Sequence, residues 1–346
     1  MAYQNTGTPR FYVNVIEWLV SNGFQLGWTT NVVDEHNPAF ISLFNTHPIE
    51  PFIFSGSLAG SHDHVSSGNV EIPKFTDKTF IAVLGHNMAS SEVSYVFKDL
   101  ESAYSGQDVD LEDIVNGDGS EYDGFSIQLV DLSGHRDYIF AIVDGDGSSG
   151  SGIDADIGSI IIGRYYDMPH SPELKLTMIR EMDGVKRIRT LGGHDLVNHK
   201  YTKPTLWGSA APWELYSGTP SNQKLSRSGR RVWDLSFSHL QDSDVFPKVS
   251  NLNWTETPYI ESTAGGRTLL DDDTFYSQVI HKTNGGQLPF IFQPDAPRLN
   301  ASTGLYEGGN NNPDNFAIAK LDMKSFTFSQ VSMNTYNCKI RIKEVW

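Results

Sequence analysis

Apolar positions along the chain fall into short runs, some continuous and some alternating, cut by glycine, asparagine, proline and aspartate. Phe80 to Leu84 is continuous, whereas Val93, Tyr95 and Phe97 alternate with polar neighbours. Tyr336, Cys338, Ile340 and Ile342 alternate strictly, the pattern of an antiparallel strand with one wet face. The same reading predicts strands in "AFISLF", "PFIFSG", "TFIAVLG", "VSYVFKD", "FSIQLVDL", "DYIFAIVDG" and "GSIIIGRYY" of the first half. In the second half it predicts them in "RRVWDLSFSHL", "PFIFQPD", "NFAIAKLD", "SFTFSQVS" and "YNCKIRIKEVW". Several of these runs are apolar on both faces, as strands in a sandwich core are. Strand and short helix compete in "PRFYVNVIEWLVSNGF", where a strand leading into a turn is preferred, and "LEDIVNG" hints at a helical turn.

Composition agrees with an all-β chain: 31 glycines and 16 prolines in 346 residues imply many turns and few long helices. The length exceeds what one ordinary core fills and predicts about two domains. We divide the chain into an N-terminal segment 1–36, a β-sandwich domain 37–175, a mixed connector 176–216 and a second β-rich domain 217–346. The net charge of −16 argues against a nucleic-acid partner, which requires a basic stripe. The nearest candidate, "KLSRSGRR" from Lys224 to Arg231, reads as a solvated turn or an interface with acidic neighbours. Cys338 is the only cysteine, so no intramolecular disulfide forms, and its alternation predicts a buried thiol. No standard signal segment opens the chain and no run of eighteen apolar residues occurs, which predicts no membrane insertion.

Candidate chemistry is sparse. The loop "DGDGSSGSGIDADIG" carries Asp144, Asp146, Asp154 and Asp156 among glycines, and hard oxygen ligands of this kind suit calcium, although the EF-hand order is missing. The expectation is a solvated acidic rim, with no cofactor required. His62, Asp63 and His64 lack a third ligand, and His194 and His199 lack both the i, i+4 spacing and the glutamate of a helical zinc site. Gly147 to Gly152, "GSSGSG", has the spacing of a nucleophile elbow but no helix after it. "HKTNGGQLPFIF" and "GGNNNPDNF" read as turn-rich segments, suited to a hairpin or an intersubunit loop. Nothing in these motifs selects an enzyme.

The apolar run 80–84 breaks at Gly85, His86 and Asn87, with Met88 following, and a later strand ends in Ile162, Gly163 and Arg164. Together these segments resemble the galactose-binding-like jelly roll of structural proteins of tailed bacteriophages. In the second half, the arginine-led "SGRRVWDLSFSHL", the "PFIF" strand with its proline-aspartate turn and the closing Glu-x-Trp resemble the C-terminal part of phage tail proteins of the distal-tail or adaptor kind. The resemblance covers about Thr79 to Leu176 and Ser226 to Trp346. It implies a jelly-roll β-sandwich followed by a second β-rich domain. Gly85, His86 and Asn87 then form a structural corner, in which glycine permits the turn and asparagine bonds its own backbone.

The function implied is that of a structural component of a tailed-phage virion, in the tail or its baseplate or adaptor region. Such a protein is assembled in the host cytoplasm and acts without catalysis, by oligomeric assembly with copies of itself and with other virion proteins. Tyr336, Ile340 and Trp346 of the last strand, with Asn311 and Pro313 of the "GGNNNPDNF" loop, are the expected assembly contacts. Two alternatives stand beside it: a module of the tail that binds host-surface glycan, and a tail-associated glycan-degrading enzyme.

Overall fold

A computed structural model describes residues 7–23, 43–47, 52–56, 63–66, 78–85, 93–99, 109–110, 125–130, 138–144, 153–174, 177–181, 186–198, 230–246, 273–299, 302–303, 306–311 and 315–345. The fold is all-β. Its first strand, β1 (Arg10–Asn14), is also its seam, pairing antiparallel with strands from both halves of the chain.

Between residues 52 and 167 the strands pair in a nested order. β2 (Phe52–Gly56) pairs with β9 (Ile153–Ile157), and β3 (Asp63–Ser66) with β8 (Tyr138–Asp144). β4 (Thr79–Leu84) pairs with β7 (Phe125–Val130), and β5 (Val93–Asp99) with the short β6 (Val109–Asp110). After Gly158, β9 gives way to β10 (Ser159–Asp167), which lies against β4, while β8 also lies against β5. With β10 set aside, this is the order of one long hairpin rolled up, first strand with last, second with next to last, and so inward, the nested pairing of a jelly roll.

The sheet holding β7, β4 and β10 does not end there. Through β1 it continues into β15 (Phe290–Gln293), β18 (Ala317–Leu321), β20 (Thr335–Glu344), β14 (Arg230–Gln241) and β11 (Thr177–Glu181). β19 (Phe328–Ser332) pairs with the first half of β20, completing ten antiparallel strands. Strands from segments 1–36, 37–175, 176–216 and 217–346 therefore share one sheet. Two small hairpins stand beside it, β12 (Lys186–Arg189) with β13 (Asp195–Asn198), and β16 (Arg298–Leu299) with β17 (Tyr306–Glu307).

Burial explains the continuous runs. Every residue of β1, β4 and β15 is buried, and β10 is buried to its last residue but one. Successive side chains on a strand point to opposite faces, so such strands need a core on each side. On one face Phe11 and Val13 pack with Trp233, Phe237, Phe290, Phe292, Ile340 and Ile342. On the other, Tyr12 packs with Phe80, Ile161, Ile291, Phe316 and Ile318. The Phe11 ring lies 5.3–5.6 Å from Phe292, Phe290 and Phe275. Gly163 makes the seam fit: a Cβ there would run into the backbone carbonyl of Val13.

Local readings differ from the structure in three places. Residues 15–21 form a helix, Val15–Ser21, where a turn was expected, because the Asn14 side chain accepts a bond from the Glu17 N–H and caps it. "HKTNGGQLPFIF" is no hairpin. A π-helical segment, Tyr276–His281, runs into a turn with positive φ at Asn284, Gly285 and Gly286, which delivers the chain to β15. The connector 176–216 holds three strands, β11, β12 and β13, whose mixed charged and apolar composition hid them. "LEDIVNG" lies outside the described residues.

Candidate functional site

The predicted site residues scatter over the fold. Asp144 ends β8, opposite Val93 of β5, whereas Asp154 and Asp156 lie on β9 opposite Ser55 and Ile53. The acidic segment is thus a strand from Ile153 onward. Asp146, the "GSSGSG" stretch, His62 and His199 lie outside the described residues. Asp63 and His64 are on β3, and His194 is exposed in the β12–β13 turn. Among the described residues no cluster of three or more His, Cys, Asp or Glu is placed to hold a metal.

Gly85 follows β4 with a φ of 68°, the left-handed conformation glycine adopts freely. His86 and Asn87 lie outside the described residues, as do Pro313 and Trp346. Ile340 is 2% exposed and belongs to the core. Both edges of β20 are taken, one by β14 and the other by β19 and β18. Half-buried Tyr336 packs on Phe246 at 5.2 Å. Asn311 Oδ1 accepts a 3.0 Å bond from Gln293 Nε2, and Gln293 Oε1 accepts one of 2.8 Å from the Tyr12 hydroxyl, so this loop is tied to the seam. Cys338 is a free, buried thiol, its pKa pushed up to about 12 by burial.

Polar chemistry concentrates instead in three buried groups. Arg231, read above as part of a solvated turn or an interface with acidic neighbours, is 1% exposed and forms an ion pair with buried Glu344. Its guanidinium donates to Glu344 Oε1 at 2.9 Å and to the Phe316 carbonyl at 2.6 Å, and its backbone N–H donates to Glu344 Oε2 at 2.8 Å. The second residue of β14, Arg231, and the glutamate of the closing Glu-x-Trp are therefore bound to each other. At the seam, Arg10 donates to Asp167 at 2.5 and 3.1 Å and lies 4.5 Å from the Tyr165 ring. Burial opposes its charge, but Tyr12 and Asp167 outweigh burial and hold its pKa above the ordinary value. Third, the Glu17 carboxylate accepts from the Thr46 hydroxyl at 2.6 Å and the Thr46 N–H at 3.1 Å. Burial raises its pKa despite these bonds.

Each group fixes strand pairing or closes a loop, and the carboxylates and guanidinium ions are turned toward one another. Alternation rules marked the apolar residues but could not find these pairs, since their partners are 113 and 157 residues apart. Outward-facing apolar residues form a fourth feature. Leu174, Met178, Ile188, Leu191 and Leu196 are all exposed, as are Val331 and Met333 at the β19–β20 turn.

No family model, curated protein or solved structure matches this chain.

Proposed function

We propose that this chain is a structural component of a tailed-phage virion, of the tail or its baseplate or adaptor region, working by assembly with copies of itself and with other virion proteins. One observation carries the reading. Two strands from the segments that bear the N-terminal resemblance, "FIAVL" and "SIIIGR", are hydrogen-bonded neighbours, with Ile162 opposite Ile81 and Gly163 opposite Phe80. Short motifs that merely coincide in a sequence have no reason to meet in one ladder. The C-terminal motifs meet in the same way, through Arg231 and Glu344. An assembly role requires no catalytic step, no cofactor and no nucleic acid.

The test is to purify the particles of the phage that encodes the chain, quantify this protein by mass spectrometry and locate it in a cryo-electron microscopy map. Several copies in a ring at the tail are expected. Particles that lack the chain would sink the proposal.

A further inference from the structure

The β12–β13 hairpin differs from the rest of the molecule in composition. It carries Lys186, Arg187 and Arg189 against the single carboxylate of Asp195, in a chain whose net charge is −16. It also carries Ile188 at 51%, Leu191 at 112% and Leu196 at 60% exposure. Apolar side chains this exposed, gathered in thirteen residues and flanked by like charges, mark a contact surface.

A complementary surface lies at the other end of β14. There the β19–β20 turn exposes Val331 at 52% and Met333 at 85%. Beside that turn runs the short helix Asp242–Val245, whose Asp242 N–H bonds the Asn334 carbonyl at 3.0 Å. This face is apolar and acidic, with Asp242 exposed and Asp244 half-buried. β11 ends where Glu181 pairs with Arg230, five residues before the hairpin in sequence, while Gln241, at the far end of β14, pairs with Thr335 beside the turn. The two ends of this 12-residue strand are roughly 35–40 Å apart.

We infer that the hairpin 186–198 is an arm that docks on the turn 331–334 and the Asp242–Val245 helix of a second copy of this chain. The occupant follows from charge and position together. Arginines beside leucines meet aspartates beside methionine and valine, and the two surfaces sit at opposite ends of one strand, so a neighbouring copy brings them together head to tail. Such a contact is heterologous: each copy gives an arm and receives one, and repetition closes a ring or extends a file. The inference rests on the assembly reading above and names the surface through which like copies associate.

Complementation tests it, with sedimentation velocity on the purified full chain. An arm variant, Leu191→Asp with Leu196→Asp, and a receiving-face variant, Val331→Lys with Met333→Lys, should each weaken self-association at least tenfold. Mixed in equal amounts, the two should form one-to-one dimers and nothing larger, since the mixture retains one intact arm and one intact receiving face per pair. Arg187→Glu with Arg189→Glu reverses the charge, leaves the leucines in place and should weaken association as well; circular dichroism checks the fold of every variant. A wild-type chain that stays monomeric at hundreds of micromolar, association untouched by the arm variants, or variants that do not pair when mixed would each overturn the inference. Failure here is separable from failure of the virion reading. Arm variants that enter particles normally remove the arm and leave the virion role, whereas head-to-tail association of a chain absent from particles does the reverse.

Discussion

The ten-stranded sheet and the β12–β13 arm treat the same kinds of residue in opposite ways. In β1, β4, β10 and β15, phenylalanine, isoleucine and valine are buried on both faces, and the buried Arg10 among them is paired with Asp167. In the arm, isoleucine and leucine stand in solvent beside arginine. Among the described residues, this hairpin is a surface both basic and apolar, and the proposed contact with a second copy would cover it.

The sharpest way to break this contrast is at the buried pair. Arg231→Met strands the Glu344 carboxylate in the interior and should cost about 3–5 kcal/mol in urea denaturation. Adding Glu344→Met should recover most of that loss, because the pair is then replaced by apolar bulk. A single variant as stable as the wild type would show that the ion pair does not hold β14 to β20. Next in size is the close approach at the seam. Gly163→Ala pushes a methyl group into the Val13 carbonyl, backbone that cannot swing aside, and should cost on the order of 1–3 kcal/mol. Gly192→Ala, in the arm turn, meets nothing nearer than His194 Cδ2 at 4.0 Å and should stay within about 0.5 kcal/mol of neutral. Equal losses at both glycines would erase the difference between seam and arm.

Most strands of this fold were legible because their signal is local. Continuous runs marked β4, β10 and β15, alternation marked β20, and the all-β class followed from both. The N-terminal strand was legible too, but not its place at the centre of the sheet, since pairing with Tyr166 and Phe292 depends on residues far along the chain. The same limit hid Arg231: "RSGRR" looks like a solvated turn until Glu344 arrives beside it. Ile340 shows the converse error. Its alternation correctly gave a strand with one apolar face, but periodicity cannot say whether the core or a neighbouring molecule covers that face, and here the core does. The arm escaped notice because Ile188, Leu191 and Leu196 are spread among charges, and only the folded hairpin gathers them.

The last and smallest effect concerns a charge inside the folded body. Glu17 lies in the first turn of the Val15–Ser21 helix, bonded to Thr46, and burial raises its pKa above the ordinary 4.5 in spite of those bonds. A carboxyl whose pKa is higher folded than unfolded binds its proton more tightly in the native state. Its contribution is fully stabilising below about 4.5 and is lost as pH rises through the folded value. Glu17→Gln keeps an acceptor for Thr46 but cannot ionise. Relative to that variant, the wild type should lose stability as pH climbs from 4 to 8, read as diverging urea midpoints. Parallel midpoints across that range would mean that the Thr46 bonds fully compensate burial, and that the interior accommodates this charge at no cost. Divergence would instead mark Glu17 as a strained ion in an otherwise settled interior, the counterpart within the body of the leucines left outside in the arm.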